Sequence, residues 1–219
     1  ASQVGLHPHL ALPLIAASLA IRPLSDEGAI VTKAAIMERI VATQLDEWPR
    51  INGGKTIRKE ERSALEALAF EVIARGALSG VKREVAVSSI ASALRRSRSL
   101  NGSDPRECDE LLACFLASGA LIQGEASGVP LYMFRHSAWC EYLASCELER
   151  MLTAGRAELR AYAHERRWCD VVTYLAERTS ARDQGRMRRL YEQTMALQSP
   201  YESLLWRDYL LAVRWVAQG

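Results

Sequence analysis

Between Ala120 and His136 the helical periodicity that governs the rest of this chain breaks off. ALIQGE (120–125) and LYMFRH (131–136) are short apolar runs, and ASGVP between them carries Gly128 and Pro130. Strand-length apolar runs around such a segment read as a β-hairpin. A single hairpin embedded among helices leaves few architectures open, and three helices followed by a hairpin is the order of a winged helix.

The helices are read from apolar residues recurring every three to four positions. Over 30–48 the stripe is Met37, Ile40, Val41, Leu45 and Trp48. The next is Leu65, Leu68, Ala69, Val72 and Ile73, with Gly76 as the stop signal. Ala86, Ile90, Ala93 and Leu94 share a third face, and Cys108, Leu111, Leu112, Phe115 and Leu116 a fourth, which Gly119 ends. After the hairpin a helix starts at Ser137 with Trp139, Tyr142, Leu143 and Cys146 on one face. Residues 150–219 read as wholly helical, with Trp168, Val171, Val172 and Leu175 in one stripe and Leu204, Leu205, Tyr209, Leu210 and Trp215 in another; Pro200 separates the last two helices. The expected fold class is mainly α: a helical segment (1–50), a winged-helix domain with one β-hairpin (57–150), and an α-helical, repeat-like tail (151–219).

Composition excludes little. Charged residues are 25% and apolar residues 49% of the 219, ordinary values for a globular protein, and a net charge of +2 gives no general attraction to nucleic acid or membrane. The five cysteines are an odd number without a C-x-x-C pair, which suits reduced thiols in a cytoplasmic protein, and no Cys/His cluster has zinc-ligand spacing. The apolar stretch LALPLIAASLAI (10–21) has no preceding Lys or Arg, is interrupted by Pro13 and is too short to span a bilayer. It reads as a buried helix in a chain that begins inside a larger protein.

Two motifs invite a functional reading and fail. INGGKT (51–56) ends as a phosphate-binding P-loop ends, but the first glycine of G-x-x-x-x-G-K-[ST] would fall on Pro49, and QLDEWPR upstream is not a buried strand. It reads as a surface turn with Lys55 in solvent. No apolar strand ending in an acidic pair for magnesium is present either, so this segment is not expected to hydrolyse ATP. A winged helix also suggests DNA binding, through a third helix in the major groove. Here that helix opens with Asp104, Glu107, Asp109 and Glu110, which would face phosphates. The basic run Arg95-Arg96-Ser97-Arg98 sits at a helix C-terminus, where cations are favoured in any case. A winged-helix transcriptional regulator is the alternative reading.

YMFRHSAWCEYLASCEL (132–148) carries the most information. His136 ends a strand where a helix begins, and a helix start offers unpaired N–H groups and partial positive charge to an anion. The same histidine could equally cap or pack the junction. Phe134-Arg135-His136 followed by Glu141-Tyr142-Leu143-Ala144 resembles the F-x-H…EYLAA signature that closes the winged-helix domain of NACHT-type signalling NTPases of the STAND class. Leu6-His7-Pro8-His9-Leu10-Ala11-Leu12 is similar to that family's N-P-L-L-L segment, with His7 departing from the usual Asn or Thr. The helix ending at Trp48 and the segment Trp168-Cys169-Asp170-Val171-Val172 resemble the family's next helix and the start of its superhelical repeats.

The resemblance implies an ATP-driven switch. The ATPase core would lie N-terminal to this segment and hold ADP or ATP with magnesium, and sensor repeats would continue beyond it. His136 would contact the β-phosphate of ADP and keep the closed form. Pro8 would pack near the adenine, although a proline there also suits a helix N-terminus. Activation would permit homo-oligomerisation, and for a bacterial member the resemblance suggests defence against phage; no membrane partner is expected, and DNA is the less favoured partner.

Overall fold

The computed structural model describes residues 32–47, 57–98, 105–199, 202 and 207–217, and these are mainly helical with a small three-stranded antiparallel sheet. Pro8, the apolar stretch 10–21, Trp48, the INGGKT turn, Asp104, Pro200, Leu204 and Leu205 lie outside the described residues.

Helix α1 spans Lys33–Ala42 and runs on into a π-helical turn, Thr43–Glu47. It buries Ala34 together with Met37, Ile40, Val41 and Leu45, the described members of the stripe read from the sequence. Its N-terminus is held twice. Thr32 Oγ1 accepts from Ala35 N–H (3.1 Å), and Glu177, 143 residues away, accepts from Ala34 N–H (2.6 Å). A carboxylate at a helix start also faces the positive end of the dipole. Burial pushes the Glu177 carboxyl up, and the Ala34 N–H partly opposes that.

Helix α2, Lys59–Ala74, follows and buries the predicted Leu65, Leu68, Ala69, Val72 and Ile73. At its start Arg58 N–H donates to Glu61 (2.8 Å). At its end Ala77 N–H reaches Val72 C=O and Gly76 N–H reaches Ile73 C=O (both 2.9 Å), the paired bonds of a Schellman stop. A two-residue strand β1, Val81–Lys82, is next, and the sequence reading did not contain it. Helices α3 (Arg83–Arg98) and α4 (Pro105–Ala117) come before the hairpin of β2 (Leu121–Ala126) and β3 (Val129–Phe134). The sheet order is β1-β3-β2, so β3 is central. Ala126 pairs with Val129, leaving Ser127 and Gly128 as a two-residue turn with φ of 53° and 76°. Positive φ at both central residues is the twist-compatible hairpin turn. Pro130 lies outside the β1 pairing, which covers only Leu131 and Tyr132, so its missing N–H costs β1 no ladder bond.

Helix α5, Ser137–Thr153, is the centre of the molecule. The sequence predicted one apolar face, but every residue from Tyr142 to Leu148 is buried, Ser145 and Glu147 included. A helix enclosed on all sides has neighbours on all sides, and α5 packs against α1, α2 and the next helix, α6 (Cys169–Arg182). Trp168, Val171, Val172 and Leu175 are buried as expected.

The tail departs from a wholly helical reading. Two 3₁₀ turns, Leu159–Ala161 and Arg166–Trp168, separate α5 from α6. Helix α7 spans Gln184–Met195 and α8 spans Arg207–Ala217. On α8 the buried residues are Asp208, Ala212 and Trp215, whereas Tyr209 and Leu210, predicted to be in the apolar stripe, are 44% and 59% exposed. The reason is polar: Asp208 is drawn inward by His164 Nε2 (2.5 Å) and by Ser199 N–H (2.8 Å) and Oγ (2.5 Å). This rotates the opposite face outward.

Charged groups lie inside the fold as well. Arg150 of α5 pairs with Glu66 of α2 and Glu147 of α5, and Arg96 of α3 reaches Glu147 (2.8 Å). Next to this cluster, Arg178 of α6 donates to Tyr142 Oη (2.9 Å), Cys146 Sγ (2.7 Å) and Glu149 (2.9 Å), and Arg186 of α7 also holds Glu149 (3.1 Å). These bonds fix the rotation of α5, which apolar packing alone leaves soft. None of the five cysteines is in a disulfide; Cys108, Cys140 and Cys146 are buried, and Cys169 is exposed. Burial pushes the Cys146 thiol up to about 12.

Candidate functional site

The junction between β3 and α5 is where the sequence placed its leading candidate. β3 ends at Phe134 rather than at His136, so Arg135 and His136 form the link. Arg135 N–H still donates to Ala120 C=O (3.2 Å), which holds the link to the residue just before β2. His136 has extended backbone (φ −135°, ψ 134°) and is the N-cap of α5, with its C=O accepting from Trp139 (3.1 Å) and Cys140 (3.3 Å) N–H.

The side chain of His136 does not cap its helix. Its ring packs edge-on to Trp139, with centroids 5.5 Å apart and an interplanar angle of 66°. Partial burial first, and the Arg135 charge second, hold its pKa below the usual histidine value. The imidazole carries at least one ring N–H that can donate. The start of α5 adds backbone amides that no preceding turn can satisfy.

Arg135 is the residue that sequence reasoning missed. It was legible only as the middle of a motif. Its guanidinium lies across Gly119, where a Cβ would stand 3.1 Å from Nη2 and 3.4 Å from Gln44 Nε2. Gly119 has φ of +72° and adds no side chain, so it both ends α4 and gives the arginine room. Gln44, in the π-helical turn after α1, donates to Ser118 C=O. The structure thus brings together Gln44, Gly119, Arg135 and His136. Among the described residues Arg135 makes no side-chain ion pair or hydrogen bond, leaving a positive charge beside the helix start. The arrangement can hold an oxyanion by charge and N–H donors; it contains no nucleophile–base pair. Among the described residues no group of three His, Cys, Asp or Glu side chains could hold a metal ion, and no helix is long and apolar enough to cross a membrane.

Of the residues weighed for DNA contact, two are in ion pairs within the chain. Asp109 of α4 pairs with Arg83 of α3 (2.5 Å), Glu110 is exposed, and Arg96 of the basic run is spent on Glu147. Comparison with protein-family models, with curated proteins and with solved structures finds no match for this chain.

Proposed function

We propose that this chain is the nucleotide-state-sensing region of a STAND, NACHT-type signalling NTPase, with His136 reading the β-phosphate of ADP held by an ATPase core elsewhere in the same polypeptide. The observation that carries the reading is an imidazole with no capping bond at the start of α5, next to the guanidinium of Arg135, which has no side-chain partner among the described residues. The order α2-β1-α3-α4-β2-β3, with β3 central, supports a winged-helix reading within residues 57–150. The α6–α8 tail supports the start of a helical superstructure. Such a lid favours the closed state only by the extra contact it gives ADP, so the switch is a population shift. Pro8 remains the proposed adenine contact. Magnesium and ATP belong to the core, where they would supply phosphoryl transfer.

In the complete polypeptide, His136→Ala should therefore move the protein toward the oligomeric, signalling form without added trigger, as read by size-exclusion chromatography with light scattering. A variant that stays at the wild-type mass opposes the reading. The alternative, a DNA-binding regulator, is favoured by the same element order. It is opposed by the carboxylates of α4 and by the engagement of Arg96. A gel shift over a salt series separates the two, because a DNA binder loses affinity steeply with salt.

A further inference from the structure

A cleft far from His136 in the sequence has the composition of a ligand site. It lies where the 3₁₀ turns meet the starts of α6 and α8, has a volume of about 320 Å³, and is lined by the segment from Ala163 to Arg166 together with Cys169, Val172, Arg207, Leu210 and Leu211. That volume is at the lower end of the ~300–1,000 Å³ typical of small-molecule sites.

Its charge does not cancel. Glu165 is paired with Arg167 (2.9 Å). His164 Nε2 is held by Asp208, whose remaining capacity goes to Ser199. Asp170, next in sequence to Cys169, pairs with Lys33 (3.3 Å). Among the described residues Arg166 has no hydrogen bond or ion pair, and the Arg207 guanidinium bonds to the His164 carbonyl (3.4 Å) and to no carboxylate. Two arginines thus line a cleft that also has an apolar wall of Ala163, Val172, Leu210 and Leu211, with His164, Glu165 and Cys169 completing the lining. The apolar walls favour a hydrocarbon body, and the arginines favour a carboxylate, sulfonate or phosphate on it.

We propose that this cleft binds a small amphipathic organic anion, its apolar body against Val172 and Leu211 and its charged group between Arg166 and Arg207. The inference stands independently of the nucleotide reading, since it involves neither His136 nor Arg135. Cys169 lines the same cleft and is exposed, so its thiol reports occupancy.

The probe is 1-anilinonaphthalene-8-sulfonate, with neutral N-phenyl-1-naphthylamine as the uncharged counterpart. With the folded chain, the sulfonate should bind saturably and slow iodoacetamide alkylation of Cys169, followed by peptide mass spectrometry, at least about fivefold. The double variant R166Q/R207Q should weaken sulfonate binding at least about tenfold and change binding of the neutral probe less than about twofold. Both arginines are on the surface, and a circular-dichroism melt verifies that the variant is folded. Unchanged sulfonate affinity in the double variant, equal affinity for both probes, or an unchanged Cys169 rate at saturation would each overturn the proposal.

Discussion

Replacing Arg150 with methionine should destabilise the protein by about 3 kcal/mol in urea melts at pH 8, and the loss should shrink as the pH is lowered toward 5. Arg150 is the cation shared by Glu66 and Glu147, which are 7% and 2% exposed. Removing one member of a buried ion cluster costs about 3–5 kcal/mol because the remaining charge is left desolvated. The lower end applies here, since the Arg150 side chain is 36% exposed and Arg62 (3.4 Å) and Arg96 (2.8 Å) stay beside the two glutamates. The pH dependence follows from Glu66. Burial already raises its pKa, and Arg150, then Arg62 and Arg178, oppose the rise while Glu147 adds to it. Without Arg150 the folded-state pKa climbs further. A carboxyl with a raised folded pKa binds its proton more tightly folded than unfolded, so the folded state gains as the pH falls and loses as the pH rises through that pKa. The gap to wild type is thus widest in base. A gap that is constant from pH 8 to pH 5 would assign the loss to packing of the arginine stem instead. The additional change Glu66→Gln should flatten the dependence.

Gly80→Ala should cost about 3 kcal/mol, from backbone strain of about 1–3 kcal/mol and overpacking of similar size. Gly80 has φ of +124°, and a Cβ there would stand 2.8 Å from Met133 Cγ and 3.0 Å from Leu131 Cβ. It lies immediately before β1, where the end of the α2 segment crosses close over the central strand. Hydrogen exchange gives the specific signature: protection at Tyr132, which pairs with Val81, should fall more than protection in α5. Equal loss at both places would mean that β1 is not what Gly80 positions.

Gly80 also shows why the strand it introduces was not legible. Two residues carry no periodicity, and β1 exists only because β3 presents its free edge to them. The long amphipathic stripes of α1 to α4 were legible because burial on one face leaves a pattern that no tertiary contact has to complete. α5 read as one-sided because Ser145 and Glu147 are polar; they are buried as Ser145 bonds to Tyr142 C=O (2.6 Å) and Glu147 to Arg96 and Arg150. The face of α8 was misread for a related reason. Asp208 is polar but is the residue that His164 and Ser199 draw inside, so Tyr209 and Leu210 point out. Long-range partners decided each of these, and a local pattern does not hold them. At the β3–α5 junction, the helix start and His136 were visible in the sequence. The role of Gly119 in seating Arg135, and of Gln44 beneath it, depends on residues some 16 to 91 positions apart in the chain.

The proposal rests on His136 contacting ADP in the closed state. The direct measurement is the rate of ADP dissociation from the complete polypeptide, with wild type, His136→Ala and His136→Gln compared by chase of a fluorescent ADP analogue. A hydrogen bond to a charged group contributes about 1.5–3 kcal/mol, so the alanine variant should release ADP at least about tenfold faster. Glutamine, which keeps an N–H donor, should recover part of the difference. Identical dissociation rates in all three proteins would contradict the account and leave His136 as a packing partner of Trp139.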